Sequence, residues 1–203
     1  MNRKEFFKKA CGMGLCSCMG LSLFTKCKVT EPEKETESTT TTDESADVVP
    51  ADARQIQNLL IYVESSIDEP AKSDIFKQLG AEHLSHPQFV GFINESKKNI
   101  QGYFNYINSG QDTYWEKIEY DSESSTIKIT GKPVDKCACA YAQFENPPLS
   151  LCHTCCRNFQ KVMFEMLLDR TVTEVRTDEA YLLGGNRCST TLFIDGKFVL
   201  GDG

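Results

Sequence analysis

The sequence predicts an α+β fold, with N-terminal helices packed against an antiparallel sheet and one cysteine-bearing helix, because the hydrophobic period changes part-way along the chain. Between residue 48 and about residue 108, apolar residues recur at three- and four-residue steps, the period of helices. From 114 to 130 they alternate with polar residues, the period of a hairpin. A second helical stripe then lies between extended segments, so helices and strands are segregated instead of repeating as βαβ units.

The first helix carries Ile56, Leu59, Leu60, Val63 and Ile67 on one face, with Asp52 as its N-cap. A second, around 70–83, carries Ile75, Phe76 and Leu79, and Pro87 opens a third with Phe89, Val90, Phe92 and Ile93. Ile100, Tyr103, Phe104 and Ile107 form a fourth stripe that Ser109 and Gly110 end. Segments 114–120 and 126–130 pair around the polar turn 121–125, and 135–142 continues extended. Pro147 and Pro148 break the chain, and Ser150 caps a helix running from 151 to about 169. Segments 171–177 and 181–194 close the domain as strands, with Gly184, Gly185 and Asn186 as a turn.

Three regions follow along the 203 residues. Residues 1–27 form an export signal: Arg3, Lys4, Lys8 and Lys9 are its basic start, and 10–24 is an uncharged apolar run. That run is shorter than the roughly 20 residues a membrane span needs. The order Arg3-Lys4-Glu5-Phe6-Phe7-Lys8 resembles the twin-arginine pattern, with Lys4 where the second arginine stands; ordinary Sec export remains open beside it. Leu15-Cys16-Ser17-Cys18 resembles a lipoprotein cleavage box, which implies a lipid anchor; Cys27, after the whole apolar run but preceded by Lys26, is a poorer candidate, and the alternative is that Cys11, Cys16, Cys18 and Cys27 are all small apolar residues of a discarded peptide. Residues 28–47 are an acidic, Thr/Ser-rich linker with nothing to bury, hence disordered. Residues 48–203 form one globular domain in the periplasm or cell envelope, touching the membrane only through the signal or an anchor. A net charge of -7, with no basic stripe, excludes a general binder of nucleic-acid phosphates.

Chemistry concentrates in six cysteines, Cys137, Cys139, Cys152, Cys155, Cys156 and Cys188. On a strand Cys137 and Cys139 share a face, and on a helix Cys152, Cys155 and Cys156 share one, above Phe159, Val162, Met163 and Met166 and turned toward the sheet. His153, Arg157 and Lys161 point the other way. A strand C-x-C facing a helical C-x-x-C-C offers enough thiols for Zn or an iron–sulfur cluster, with Cys137, Cys139, Cys152 and Cys155 first, Cys156 interchangeable with Cys155, and Cys188 in reserve. Other readings stay open, among them reduced cysteines used as small core residues. In an oxidising compartment the thiols staple strand to helix as disulfides, although Cys155 and Cys156 are adjacent and pair poorly with each other. At a helix start, backbone N–H groups favour a thiolate, so Cys155 or Cys156 also fits the nucleophile of a small-molecule hydrolase.

The run from Cys137 and Cys139 through Cys152-His-Thr-Cys155-Cys156, Phe164-Glu165 and 172–175 to Gly185-Asn-Arg-Cys188 and Phe193-Ile194 resembles a group of uncharacterised cysteine-rich bacterial proteins. More distantly it is similar to the 4-vinyl reductase-type domain and to aminothiazoline carboxylate hydrolase-like proteins. The resemblance covers about sixty C-terminal residues. It implies helices around an antiparallel sheet and a small molecule held in a cysteine-lined pocket. Outside the cysteines, His83 and His86 read as solvated polar residues at a helix end, while Glu165 and Tyr141 are acid–base candidates without a triad. No G-x-S-x-G, P-loop or dinucleotide fingerprint is present.

Overall fold

The computed structural model describes residues 51–137, 139–143 and 145–200, and these begin with four helices; the signal and linker expected over 1–47 lie outside them. The helices are α1 (Ala51–Ser66), α2 (Ala71–Ser85), α3 (Pro87–Lys97) and α4 (Ile100–Asn108). Helix α1 already includes residue 52, so Asp52 lies within its first turn and is not its cap. Pro87 occupies the first turn of α3, where its missing N–H costs nothing, and His86 Nδ1 accepts the Gln88 amide at 3.4 Å. Asn99 Oδ1 accepts the Gly102 amide at 2.7 Å and starts α4. Two members of the apolar stripes, Leu59 and Ile75, are exposed, at 59% and 42%.

The hairpin forms as β1 (Trp115–Asp121) and β2 (Thr126–Gly131). It is followed by a six-residue π-helical turn (Leu151–Cys156), α5 (Arg157–Leu168), β3 (Val172–Glu179) and β4 (Ser189–Ile194). The sheet is antiparallel in the order β1-β2-β4-β3, because β4 folds back from β3 into the space beside β2. The register aligns Tyr120, Ile127, Leu192 and Val175 in one row and Ile118, Ile129, Thr190 and Thr177 in the next. On this face lies α5, whose Phe159, Met163, Phe164 and Leu167 are buried with the strands' apolar residues and with Tyr103, Phe104 and Ile107 of α4. Thr190 puts a hydroxyl into this core, and it donates to Gln160 Oε1 of α5, which removes the cost of leaving it unpaired.

Strand β1 is an edge, and α4 serves as its missing neighbour. Asn108 donates Nδ2 to the Ile118 carbonyl at 2.9 Å and accepts the Ile118 amide on Oδ1 at 2.8 Å. Replacing Asn108 with alanine strips both groups of their partner, and each such bond is worth about 0.5–1.5 kcal/mol net. A loss of about 1–2 kcal/mol in unfolding free energy is expected for Asn108→Ala, read as a lower urea midpoint at unchanged slope.

Three expected elements come out differently. The described residues of segment 135–142 form no strand and end in a 3-10 turn, Ala140–Ala142. The cysteine-bearing helix is not uniform, since its first six residues close their hydrogen bonds in the wider π pattern, and Ser150 makes no side-chain cap. Residues 181–188 do not extend β4; they form a 3-10 turn (Tyr181–Leu183) and a reversal at Gly184, whose φ of 89° suits a residue without a side chain.

Candidate thiol centre

The cysteines lie outside the main core, in a second apolar cluster. Cys137, Cys139 and Cys155 are buried there with Leu60 and Val63 of α1, Phe76 of α2, Ala142 and Leu151, while Ile56, Leu79, Tyr141, Cys156 and Tyr181 are half-buried around them. Cys152, also buried, opens the same π turn. Cys155 and Cys156 therefore pack with α1, α2 and the segment that carries Cys137 and Cys139, in a cluster apart from the sheet that the α-helical face suggested. The π turn is consistent with this, because it changes the angular spacing that an α-helix gives residues three and four apart.

Two backbone contacts hold the cysteine segments in place. At Gly80 of α2 a side-chain β-carbon would stand 2.3 Å from the Cys155 carbonyl oxygen and 3.1 Å from the Phe159 nitrogen, so only glycine lets α2 reach the π turn this closely. Beyond the end of β2, the Gly131 amide donates to the Cys188 carbonyl at 2.7 Å and the Val134 amide to the Asn186 carbonyl at 2.8 Å. These bonds carry Cys188 alongside the loop that leads into Cys137. Gln143 Nε2 donates to the Cys137 carbonyl at 3.2 Å, and the Ala142 amide to the Cys139 carbonyl at 2.8 Å.

All six thiols are electrostatic neighbours. Burial pushes the Cys137 thiol up to about 12, partly opposed by the Cys139 backbone N–H and reinforced by Cys139, Cys188 and Cys156. Burial, with Cys156, Cys137, Cys188 and Cys139, pushes Cys152 up; burial, with Cys156, Cys139 and Cys152, does the same to Cys155. Cys188 is also raised, by burial and by Cys156, Cys139 and Glu179, against a hydrogen bond from the Tyr181 backbone. Cys139 and Cys156 thus act on each of the other four. Cys188, expected in reserve, belongs to the group. At Cys155, where a helix start is expected to favour the thiolate, burial pushes the thiol up and so works in the opposite direction.

Among the described residues the six cysteines carry no disulfide. Thiols are the right donors for Zn or an iron–sulfur cluster. Among the described residues, however, no three Cys, His, Asp or Glu side chains stand together as one ion's ligands would. The donor chemistry fits a thiophilic metal; the side chains are gathered without being closed around a common point.

Other candidates separate clearly. Glu165 sits at the α5–β3 corner, where it accepts the Val172 amide at 3.0 Å and lies 3.8 Å from Lys161 Nζ. Tyr141 belongs to the thiol cluster and lies 5.7 Å, ring to ring, from His83. His86 is the α3 cap described above, whereas His83 is half-buried, not solvated, and its Nε2 is buried without a hydrogen-bond partner among the described residues. Burial holds the His83 imidazole below its ordinary 6.5. The unfolded chain therefore takes up a proton near that pH before the folded one does, so stability falls as pH drops from about 7 through 6. The urea midpoint of wild type is expected to fall between pH 7 and 5.5 by more than that of His83→Phe; equal slopes would contradict this assignment.

Compared with family models, curated proteins and solved structures, the chain matches none. No helix of the described residues is long and apolar enough to cross a membrane.

Proposed function

We propose that this chain is an exported protein whose six gathered thiols take up a thiophilic metal, as a Zn ion or an iron–sulfur cluster. The observation that carries the reading is the packing of Cys137 and Cys139 with Cys155 and Cys156 in one apolar cluster, although 12 residues of sequence separate the two segments, with Cys152 buried in the same π turn and the Cys188 carbonyl bonded to the Gly131 amide at the start of the loop that leads to Cys137. Cysteines used only as small apolar filler give no reason for six to meet, since alanine fills similar space without the hazard of oxidation. Four thiolates suffice for a tetrahedral ion at about 2.3 Å, so six leave two to tune the site or complete a cluster. Bound metal supplies cross-links between the loop, the π turn and the segment before β4, and so stabilises the fold.

One observation favours a second reading. Because no three donors share a centre among the described residues, pairing into disulfides needs less rearrangement than closing a cage. Protein purified anaerobically without chelator separates the two. In the processed chain, which has lost Cys11, Cys16, Cys18 and Cys27 with residues 1–27, about one Zn or one cluster per chain and six thiols titrating only after denaturation with chelator support metal binding. Absence of metal together with fewer than six titratable thiols in that chain supports disulfides and sinks the first reading.

A further inference from the structure

The outer side of the same helix carries a feature that the thiols do not use. A cavity of about 230 Å³ lies between α2, the π turn, α5 and β3, and four basic side chains line it: Lys77, His153, Arg157 and Lys161. Such a concentration of basic groups runs against the net charge of -7 of the whole chain. Glu174 is the one acidic residue in the lining.

The cations are available to a ligand. Lys77 lies 3.5 Å from Asp74, and Lys161 lies 3.8 Å from Glu165. The Lys77 pair is exposed and worth little, and the half-buried Lys161 pair is long at 3.8 Å and shares its carboxylate with the Val172 amide, so both ammonium groups can take a better partner. Arg157 is held in place by a 2.9 Å bond from Nε to Thr177 Oγ1, and among the described residues it makes no ion pair. The fork of its terminal nitrogens is thus left for an oxyanion. Thr154 and Asn158 add a hydroxyl and an amide to the lining, and Asn158 Nδ2 is anchored to the Lys77 carbonyl at 2.8 Å.

We infer that this groove binds the phosphoryl group of a small phosphorylated molecule, with Arg157, Lys161 and Lys77 as the principal contacts. A dianionic group with three free oxygens can engage a guanidinium fork and two ammonium groups together, whereas a single carboxylate satisfies little more than the arginine. The volume suits a small molecule: it corresponds to several waters at about 30 Å³ each, far less than a polynucleotide track requires. Glu174 at the same groove selects a ligand that also offers a hydroxyl or amine to accept from. The inference stands apart from the metal reading, since it involves the opposite side of the helix and no cysteine.

Titration calorimetry of the reduced full chain, at fixed ionic strength set with sodium chloride, tests it with inorganic phosphate, phenyl phosphate and benzoate. Saturable binding of one or both phosphates below about 10 mM is expected, weakened by about tenfold or more in Arg157→Gln/Lys161→Gln. Tighter binding of phenyl phosphate than of phosphate points to an organic ester, and the reverse to the free ion. Lys77→Gln, on an exposed helical position, weakens binding in the same direction and guards against a folding defect in the double variant. Three results would overturn the assignment: no saturation beyond chloride, equal binding of benzoate, or wild-type affinity in both variants.

Discussion

Replacing Cys139 and Cys156 together with alanine is expected to lower bound metal from about one equivalent per chain to below about a tenth, with the helical and strand signals of the fold retained. These two thiols are the common neighbours of the rest. Cys155 is acted on by Cys156, Cys139 and Cys152, whereas Cys188 is acted on by Cys156 and Cys139. Removing both takes one thiol from the 137–139 segment and one from the π turn, and leaves only four of the six. Alanine is chosen over serine because both positions pack in the apolar cluster, where a buried hydroxyl without a partner costs about 1–3 kcal/mol. Metal analysis beside circular dichroism checks the expectation. Full metal content in the double variant would remove these two cysteines from the ligand set.

The second large effect is steric. Gly80→Ala is expected to destabilise the protein by roughly 2 kcal/mol or more, even though alanine is the better helix former. Helix propensity favours the change by about 1 kcal/mol. Against it stands a β-carbon placed 2.3 Å from the Cys155 carbonyl oxygen, a backbone atom of the π turn that no side-chain rotation can clear. Overpacking commonly costs about 1–3 kcal/mol, and more where backbone must move, so it wins. Gly91 in α3 is the control, because nothing lies within 4 Å of its added β-carbon. Gly91→Ala should instead gain about 0.5–1 kcal/mol. Urea unfolding of both variants gives the comparison, and equal signs for the two would contradict the contact. Gly80→Ala should also speed alkylation of the native protein's cysteines, since it parts α2 from the turn that bears them.

The helices and the hairpin were legible because each buries a regular stripe: Ile100, Tyr103, Phe104 and Ile107 in α4, and alternating Ile118, Ile127 and Ile129 across β1 and β2. The cysteine segments were harder to read. Around Cys137 and Cys139 no apolar period distinguishes a strand from a loop tied by single hydrogen bonds to residues 40 or more positions away, such as Tyr181 Oη to the Asp135 carbonyl at 2.5 Å. The π turn leaves no separate mark in composition, because Cys152, Cys155 and Cys156 satisfy the α-helical spacing equally well. At the turn α2 approaches so closely at Gly80 that the backbone is itself the packing surface, a tertiary contact that local sequence does not announce. A helix stripe shared with Phe159 and Met163 points the thiols to the sheet; those two do enter the main core, while cysteines of the π turn pack in a cluster of their own. The basic side of the helix was visible in the spacing of His153, Arg157 and Lys161, but Lys77, which completes the groove, comes from α2 and needed the fold.

X-ray absorption at the Zn or Fe edge of anaerobically purified protein tests the thiol centre most directly. The expected result is a first shell of sulfur alone, at about 2.3 Å and numbering about four, collapsing in Cys139→Ala/Cys156→Ala. A first shell of nitrogen and oxygen, or metal below about a tenth of an equivalent, would contradict metal binding by these six cysteines.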